Sequence, residues 1–305
     1  MTDLRIISLI PSSTEIVCAL GLREYLVGRS HSCDFPDDVV DLPVCSKPRN
    51  LPVGSSIDIH NEIMSVLQNA LSVYEVHLET IKDLRPTHII TQSQCEVCAV
   101  STDDLEEALS DYLETENVQV IDLKPDNIEE VLESFQTVAD AADVPEMGIH
   151  LIQEIQNSFK NINDATSALT YKPKIIFLEW IEPLMVAGNW TTSLIEMAGG
   201  TNVFDRINNH WINMDDILNA NPNKIVIGPC GFSIDQSLGN MHFLAKSEDW
   251  NSLEAVINNE IYICNGSDYF NRPGPRLEDS LKIMAEILHP DLFKSEYYKT
   301  GWIRL

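Results

Sequence analysis

Positive charge is scarce in this sequence. Only 20 lysine and arginine residues stand against 47 aspartate and glutamate residues, which gives a formal net charge of −27. A nucleic-acid-binding protein needs a basic surface to neutralise phosphates, so this class of protein is disfavoured. Association with an anionic membrane surface is disfavoured for the same reason. We therefore expect neither nucleic acid nor a lipid surface as a partner.

Long apolar runs are also absent. No stretch approaches the roughly 20 apolar residues that are needed to cross a bilayer. The opening lacks the features of a secretory signal, because Met1-Thr2-Asp3 leads directly into the strand-like segment Leu4–Ile10. The sequence as given therefore predicts a cytoplasmic protein, unless a leader has been removed.

A complete set of paired cysteines and the common catalytic motifs are missing as well. Seven cysteines cannot all form disulfides within one chain, and they fit a reducing compartment or a thiol site better than a secreted scaffold. The sequence contains no G-x-S-x-G elbow, no P-loop, no H-E-x-x-H motif and no dinucleotide fingerprint. We do not expect an enzyme, and the remaining enzymatic alternative is a redox metalloprotein.

What the sequence does contain is a regular alternation of strand and helix signals in each half. This alternation predicts parallel sheets that are flanked by helices. The predicted strands are Leu4–Ile10, Tyr25–Arg29, Thr87–Thr91 and Val118–Leu123 in the first half, and Lys174–Glu179, Lys224–Gly228 and Ile261–Cys264 in the second. A length of 305 residues fits about two domains.

A different pattern separates the two halves. Apolar residues recur at helical spacing between residues 146 and 169, which predicts a stiff connecting helix, with one more packing helix of a single domain as the alternative. The predicted fold class is α/β, with two Rossmann-like lobes, 1–143 and 172–305, joined by a long helix within 144–171. Because open α/β sheets bind ligands beyond the carboxyl ends of their strands, we expect a ligand cleft between the lobes.

Four segments resemble a known family. The opening Arg5–Ile16 resembles the helical-backbone (class III) solute-binding proteins of ABC transporters, which include receptors for cobalamin, heme and ferric siderophores. The segments Asp34-Phe35-Pro36, Leu84–Ile90 and Asp268–Arg276 are similar to the cobalamin-binding branch of that family. The resemblance covers nearly the whole chain.

This resemblance implies two lobes joined by one long helix, cobalamin as the ligand and an ABC permease as the partner. Family members are usually extracytoplasmic. In the family, an acidic residue on each lobe docks onto the permease. Glu79 matches the first of these positions, and Asp215 or Asp216 matches the second approximately. The alternative for each is a solvated acid on a helix surface.

Candidate ligand-binding side chains lie near the ends of predicted strands. Tryptophan rings suit a large, flat, amphipathic ligand such as a corrinoid, although burial in the core is the alternative for each of them. Glu179 ends a strand, so its carboxylate is expected either to accept hydrogen bonds from ligand amides or to pair with Arg272 or Arg276. The predicted ligand-binding residues are His31, Gln94, Glu179, Trp180, Trp190, Trp211, Phe232, Tyr269 and Arg272.

Four cysteines follow predicted strands or lie in an early proline-rich loop. Thiolates favour zinc and iron–sulfur clusters, so a metal site formed by Cys33, Cys95, Cys98 and Cys230 is one interpretation, with His31 as an alternative ligand. The other interpretation is a set of thiols without metal, or a local disulfide between Cys95 and Cys98.

Three functions are consistent with these features. The leading prediction is a binding protein for cobalamin or a related corrinoid, which works with an ABC transporter. A cytosolic metalloprotein with a cysteine-ligated metal or iron–sulfur cluster on the same scaffold is the second. A receptor for a siderophore or a metal ion is the third.

Overall fold

The computed structural model describes residues 4–48, 54–68, 74–93, 100, 102–204 and 210–305. The chain divides into two compact units. One comprises residues 1–52 and 61–154, and the other comprises residues 53–60 and 155–305. The lobe boundaries at 143 and 172, which were inferred from the sequence pattern, stay a prediction.

The first unit contains a four-stranded parallel sheet and a separate pair of short antiparallel strands. The sheet order is β2-β1-β5-β6, and β3 pairs with β4. In chain order, the elements are β1 (Ile6–Ser8), α1 (Pro11–Ala19), β2 (Leu26–Arg29), β3 (Ser46–Pro48), α2 (Ser56–Gln68), β4 (Tyr74–Val76), α3 (Leu78–Leu84), β5 (His88–Thr91), α4 (Thr102–Thr115), β6 (Gln119–Asp122), α5 (Ile128–Ala141) and α6 (Pro145–Ser167), of which α2 and α6 each contribute residues to both units.

Each strand of this sheet contains a run of two consecutive apolar residues. Ile7 and Ile89 pair directly across β1 and β5, and both side chains are fully buried. Such runs are typical of parallel strands that are covered on both faces. The predicted parallel sheet is therefore confirmed, whereas the antiparallel pair β3–β4 had no alternating pattern by which it could be recognised.

The predicted helix within residues 146–169 is confirmed as one continuous helix, α6. It begins with Pro145 in its first turn, where the missing backbone N–H costs nothing, and it runs for 23 residues. At 1.5 Å per residue its length is about 34 Å. The apolar face predicted from the spacing is also present, because Ile155, Phe159 and Ile162 are buried.

The second unit contains a six-stranded mixed sheet. Its order is β12-β11-β10-β7-β8, with β9 beside β7, and the strands β7, β10 and β11 are parallel. In chain order, the elements are β7 (Lys174–Trp180), β8 (Met185–Val186), α7 (Asn189–Met197), β9 (Thr201–Asn202), α8 (Met214–Ala220), β10 (Lys224–Ile227), α9 (Ile234–Asn240), α10 (His242–Ala245), α11 (Glu248–Ser252), α12 (Glu254–Ile257), β11 (Ile261–Cys264), α13 (Leu277–Leu288) and β12 (Trp302–Arg304).

The segment 234–245 is divided into two helices, α9 and α10. The Nδ2 atom of Asn240 donates to the carbonyl of Gln236 at 2.9 Å, and Nδ1 of His242 lies 2.8 Å from the carbonyl of Gly239. Polar side chains that bond to nearby carbonyls in this way compete with the regular helical ladder. The break therefore has a local cause.

A buried carboxylate fixes the C-terminal segment against α13. Glu286 is 3% exposed, and its oxygens accept hydrogen bonds from the backbone N–H groups of Glu296 and Tyr297 and from Nε1 of Trp302 at 2.7 Å. These donors hold the chain so that β12 pairs antiparallel with β11. The sequence offered no signal for this strand, because the contact joins residues that lie 10 to 16 positions apart.

We expect the substitution Glu286→Ala to lower the free energy of unfolding by about 3 kcal/mol, because it leaves two partly buried backbone donors and one buried indole donor without an acceptor. Urea denaturation followed by circular dichroism measures the change. The substitution Glu133→Ala on the exposed face of α5 is the matched control and should cost less than about 0.5 kcal/mol. Equal losses in the two variants would contradict the proposed role of the carboxylate.

Candidate ligand pocket

A pocket of about 170 Å³ lies in the second unit, where β7 ends and α7 begins. Ligands of open α/β sheets bind at this kind of edge, beyond the carboxyl ends of parallel strands. The residues that line the pocket are Glu179, Gly188, Asn189, Trp190, Thr191 and His210. Two of them, Glu179 and Trp190, belong to the set predicted from the sequence.

The backbone at the start of α7 determines the shape of the pocket. A Cβ atom on Gly188 would lie 1.9 Å from Cε1 of His210, so only glycine allows the imidazole to approach the chain this closely. Asn189 follows with a φ of 48°, in the left-handed region that asparagine tolerates better than most residues. The pair Gly188-Asn189 therefore turns the chain into the helix and leaves room for the ring.

The imidazole of His210 is held in place by the strand β8. Its Nδ1 atom lies 3.2 Å from the carbonyl oxygen of Val186, and the N–H of Val186 donates to the carbonyl of His210 at 2.9 Å. A carbonyl oxygen only accepts, so Nδ1 carries the proton, and in a neutral ring Nε2 is then an acceptor. The sequence contained no signal for His210, because its place in the pocket depends on a contact with Gly188.

Trp190 contributes an immobilised aromatic wall. Its side chain is 8% exposed, and its Nε1 atom donates to the carbonyl oxygen of Phe270 at 2.8 Å. The indole N–H therefore already donates a hydrogen bond within the protein, and the ring presents mainly apolar surface to the pocket. Of the two roles that the sequence suggested for this residue, burial is observed, and ligand contact stays a prediction.

Glu179 is the one carboxyl group that lines this pocket. Its side chain is partly buried, and it makes no hydrogen bond or ion pair with any residue of the described part of the chain. Burial raises the pKa of this carboxyl group to about 7, because the loss of hydration disfavours its ionised form. The predicted alternative, a salt bridge from Glu179 to Arg272 or Arg276, is therefore wrong.

The two arginines instead organise the loop before α13. The guanidinium group of Arg272 is buried and lies 3.9 Å from Asp268, and that of Arg276 lies 5.5 Å from the ring centre of Tyr269. The Tyr269 ring also packs edge-on against Tyr297. These contacts agree with Arg272 as a tether of the loop, and ligand contact by Tyr269 and Arg272 stays a prediction.

Three other predicted aromatic residues of the second unit lie outside the pocket lining. Trp180 and Phe232 are both buried, with ring centres 5.1 Å apart, and Nε1 of Trp180 donates to the carbonyl of Glu182. Trp211 is 43% exposed, and its ring makes an edge contact with His60 at 5.3 Å. Their role as ligand contacts stays a prediction.

Two predicted ligand residues belong to the first unit. The ring of His31 is tilted against that of Tyr74, with their centres 5.5 Å apart. Gln94 lies outside the described residues, as do Cys95 and Cys98. Nothing in the structure therefore tests the contribution of the first unit to a ligand site.

Burial favours the protonated thiol at Cys18, Cys45, Cys230 and Cys264 by raising the pKa of each. Burial and, to a smaller extent, the neighbouring Glu179 raise the pKa of Cys230 to about 12. The Sγ atom of Cys33 is buried 3.2 Å from the hydroxyl oxygen of Ser30. Among the residues that the structure describes, no group of three or more histidine, cysteine or acidic side chains is arranged to hold a metal ion. Zinc or iron–sulfur ligation by Cys33, Cys95, Cys98 and Cys230 stays a prediction.

The acidic residues that were predicted to dock onto a permease differ in the contacts that their carboxylates make within the protein. Glu79 begins α3 with its side chain 86% exposed, 3.6 Å from Lys82. Asp216 accepts a hydrogen bond from the backbone N–H of Asn213 and so caps α8, whereas Asp215 is exposed. Of the two candidates in the second unit, Asp215 is therefore the one whose carboxylate is not used by the helix cap.

Sequence and fold are similar to those of known binding proteins. The sequence model of the family described as "Periplasmic binding protein" matches residues 6–267. An uncharacterized ABC transporter substrate-binding lipoprotein of Bacillus subtilis is 23% identical over 299 residues, which are 95% of this chain and 81% of the relative. A vitamin B12-binding protein of Vibrio cholerae serotype O1 is 22% identical over 290 residues, 93% of this chain and 88% of its own.

A solved structure shares the fold over almost its whole length. The periplasmic heme-binding protein RhuT from Roseiflexus sp. RS-1, in its apo form, superposes with a TM-score of 0.70 at 21% identity. The superposition covers 94% of this chain and 98% of that one. The α/β fold class predicted from the sequence is confirmed.

The raised pKa of Glu179 predicts a pH-dependent effect of the substitution Glu179→Gln. Between pH 4.5 and about 7 the folded protein holds a proton that the unfolded chain releases, so the parent loses stability as the pH rises. Glutamine does not titrate, so the stability of the variant relative to the parent should rise between pH 5 and pH 8, by at most about 3 kcal/mol. Thermal or urea unfolding at both pH values measures this.

The control for this measurement is Glu196→Gln, at an exposed position of α7. Its stability relative to the parent should not change over the same range. If the parent and the Glu179→Gln variant show parallel pH profiles, Glu179 is ionised in the folded protein and the assignment is wrong.

Proposed function

The chain belongs to the periplasmic binding protein family, and on this premise we propose that it binds cobalamin or a related corrinoid and delivers it to an ABC permease. The match over residues 6–267 and the relatives that span nearly the whole chain support a solute-binding protein of the ABC-transporter type. The family consists of transport binding proteins, and we propose no enzymatic activity.

The observation that carries the choice of ligand is the chemistry of the pocket in the second unit. It presents one aromatic wall, Trp190, together with the amide of Asn189, the hydroxyl of Thr191 and the carboxyl group of Glu179. A corrinoid has an apolar ring system whose edge carries carboxamide groups. Such an edge matches an aromatic surface that is interrupted by hydrogen-bonding groups.

Heme is the main competitor, because one structure with this fold is a heme-binding protein whereas one curated relative is a vitamin B12-binding protein. Heme carries two carboxylates, which require cationic or strongly donating partners when they are buried. No lysine or arginine is among the residues that line the described pocket. This favours the amide-bearing ligand. The siderophore receptor and the cysteine-ligated metalloprotein stay predictions that no feature of the pocket favours.

The exposure of two acidic side chains supports a permease as the partner. Glu79 and Asp215 are the residues whose positions match the docking acids of the family, and both carboxylates are solvent-exposed. Exposed acids attract a basic partner with little desolvation cost. The net charge of −27 has the sign that such a partner would require.

None of the described helices combines the length and the apolar character that a membrane crossing requires. Family members are periplasmic proteins or extracytoplasmic lipoproteins, and an extracytoplasmic receptor agrees with the proposed delivery to a permease. The cytoplasmic location inferred from the opening of the sequence stays a prediction.

We expect the purified protein to bind cyanocobalamin and the substitution Trp190→Ala to weaken this binding by about 2 kcal/mol, or roughly 30-fold, because a buried aromatic anchor is lost. Isothermal calorimetry with cyanocobalamin, and separately with hemin, measures the affinities. The conservative variant Trp190→Phe should retain most of the binding, since it keeps an aromatic ring at the wall.

The matched control is Tyr171→Ala, which removes an aromatic ring that is 62% exposed and does not line the pocket. Its affinity should equal that of the parent. A parent protein that binds hemin but not cyanocobalamin would reject the proposed ligand. Unchanged cyanocobalamin affinity in Trp190→Ala would reject this wall as part of the site.

A further inference from the structure

The pocket in the second unit contains a carboxyl group in an unusual situation. The side chain of Glu179 lines a cavity, is partly buried, and makes no hydrogen bond or ion pair with the described residues. A carboxyl group that loses part of its hydration without gaining a partner is disfavoured in the ionised form, and it retains unused hydrogen-bonding capacity in either state. The protein therefore leaves this group to be completed by something that enters the pocket.

We infer that Glu179 accepts a hydrogen bond from an N–H group of the ligand and releases a proton to solvent when it does so, which selects ligands with an amide or amine at this point over ligands with a carboxylate. This inference rests on the proposed function and specifies it further. In the exchange, the carboxyl O–H bond breaks, its proton leaves to water, and the carboxylate accepts the N–H hydrogen without transfer of electrons.

The groups around Glu179 differ in their ability to exchange a proton near neutral pH. Cys230, which follows β10, is the thiol beside it, and with a pKa of about 12 it stays uncharged near neutral pH. Asn189 and Thr191 of α7 do not titrate. His210 is the other ionisable residue that lines the pocket. Its Nδ1 atom is engaged by the carbonyl of Val186 but its Nε2 atom is an acceptor, so a variant at this position separates its contribution from that of Glu179.

Among the described residues, none that lines the pocket carries a permanent positive charge, and this determines the selectivity. Arg272 lies beside Asp268 and Arg276 lies over Tyr269, so both guanidinium groups are engaged in the loop before α13, and neither is part of the pocket lining. An ionised carboxylate of a ligand would be repelled by Glu179 in its ionised form. It would be tolerated only if Glu179 kept its proton. An N–H donor meets the opposite situation, since it stabilises the ionised form of Glu179.

This arrangement has a quantitative consequence. With a pKa of about 7 in the unliganded protein, roughly one tenth of Glu179 is ionised at pH 6 and roughly nine tenths at pH 8. If the ligand binds the ionised form, its apparent dissociation constant scales inversely with that fraction. We therefore expect cyanocobalamin to bind about tenfold more tightly at pH 8 than at pH 6, and to release about half a proton per molecule at pH 7.

Calorimetry of the whole chain with cyanocobalamin at pH 6, 7 and 8, in buffers of different ionisation enthalpy, measures both quantities. The Glu179→Gln variant should show an affinity that is independent of pH and no proton release. The His210→Asn variant keeps a donor near the Val186 carbonyl, and it should keep the pH slope of the parent whatever its absolute affinity. The Glu196→Gln control should match the parent in both respects.

Several outcomes would overturn the inference. One is a parent affinity that does not change with pH, or that increases as the pH falls. Another is a pH slope that disappears in His210→Asn but persists in Glu179→Gln, which would assign the proton to the imidazole. A parent that binds hemin more tightly than cyanocobalamin at pH 8 would contradict the selection against carboxylates.

An infrared measurement without ligand separates this inference from the proposed function. The difference spectrum between the parent and Glu179→Gln should show a protonated carboxyl band at pH 6 that is lost by pH 8. If the parent binds no cyanocobalamin at any pH but the band titrates in this range, the proposed ligand is wrong while the proton on Glu179 is supported. If the band is absent at pH 6, the inference fails whatever ligand the protein binds.

Discussion

The in-register pairing of three parallel strands in the second unit is the constraint on which the pocket depends. Lys224 of β10 lies opposite Ile175 of β7, and Ile225 of β10 lies opposite Ile261 of β11. Parallel strands run in the same direction, so the chain leaves all three at the same edge of the sheet. Backbone hydrogen bonds align the strands and so bring Glu179, the loop that carries Cys230 and the turn before α13 to this edge. The side chains then determine the chemistry of the edge.

The elements that could be predicted from the sequence are those with a local physical cause. The apolar strands and the helix α6 follow from residue spacing and from a proline at the helix start, and Glu179 was placed at a strand end by the same reasoning. The place of His210 could not be predicted, because it depends on the absence of a Cβ atom 22 positions earlier, at Gly188. The pairing of Trp180 with Phe232 likewise joins the end of β7 to the loop that follows β10.

The cysteines show a second limit of sequence reasoning. Spacing alone suggests metal ligation, because it reports which residues are near one another along the chain but not how well each is hydrated. In the structure Cys230 is partly buried beside an acid, and both features favour the thiol over the thiolate that a metal requires. Desolvation raises the pKa of Glu179 at the same place, so one poorly hydrated environment raises the pKa values of two neighbouring acids.

The strand β12 covers an edge of the sheet in the second unit, and this affects how readily the protein aggregates. Without it, β11 would present an open row of backbone donors and acceptors at the margin of the sheet, to which another copy of the chain could add. The three residues of β12 cover that row, and Arg304, paired with Glu260, places a charge on the new margin. A short, charged border strand is a poor template for further strand addition. The carboxylate of Glu286, by holding this segment in place, therefore also protects the protein against aggregation when it is concentrated.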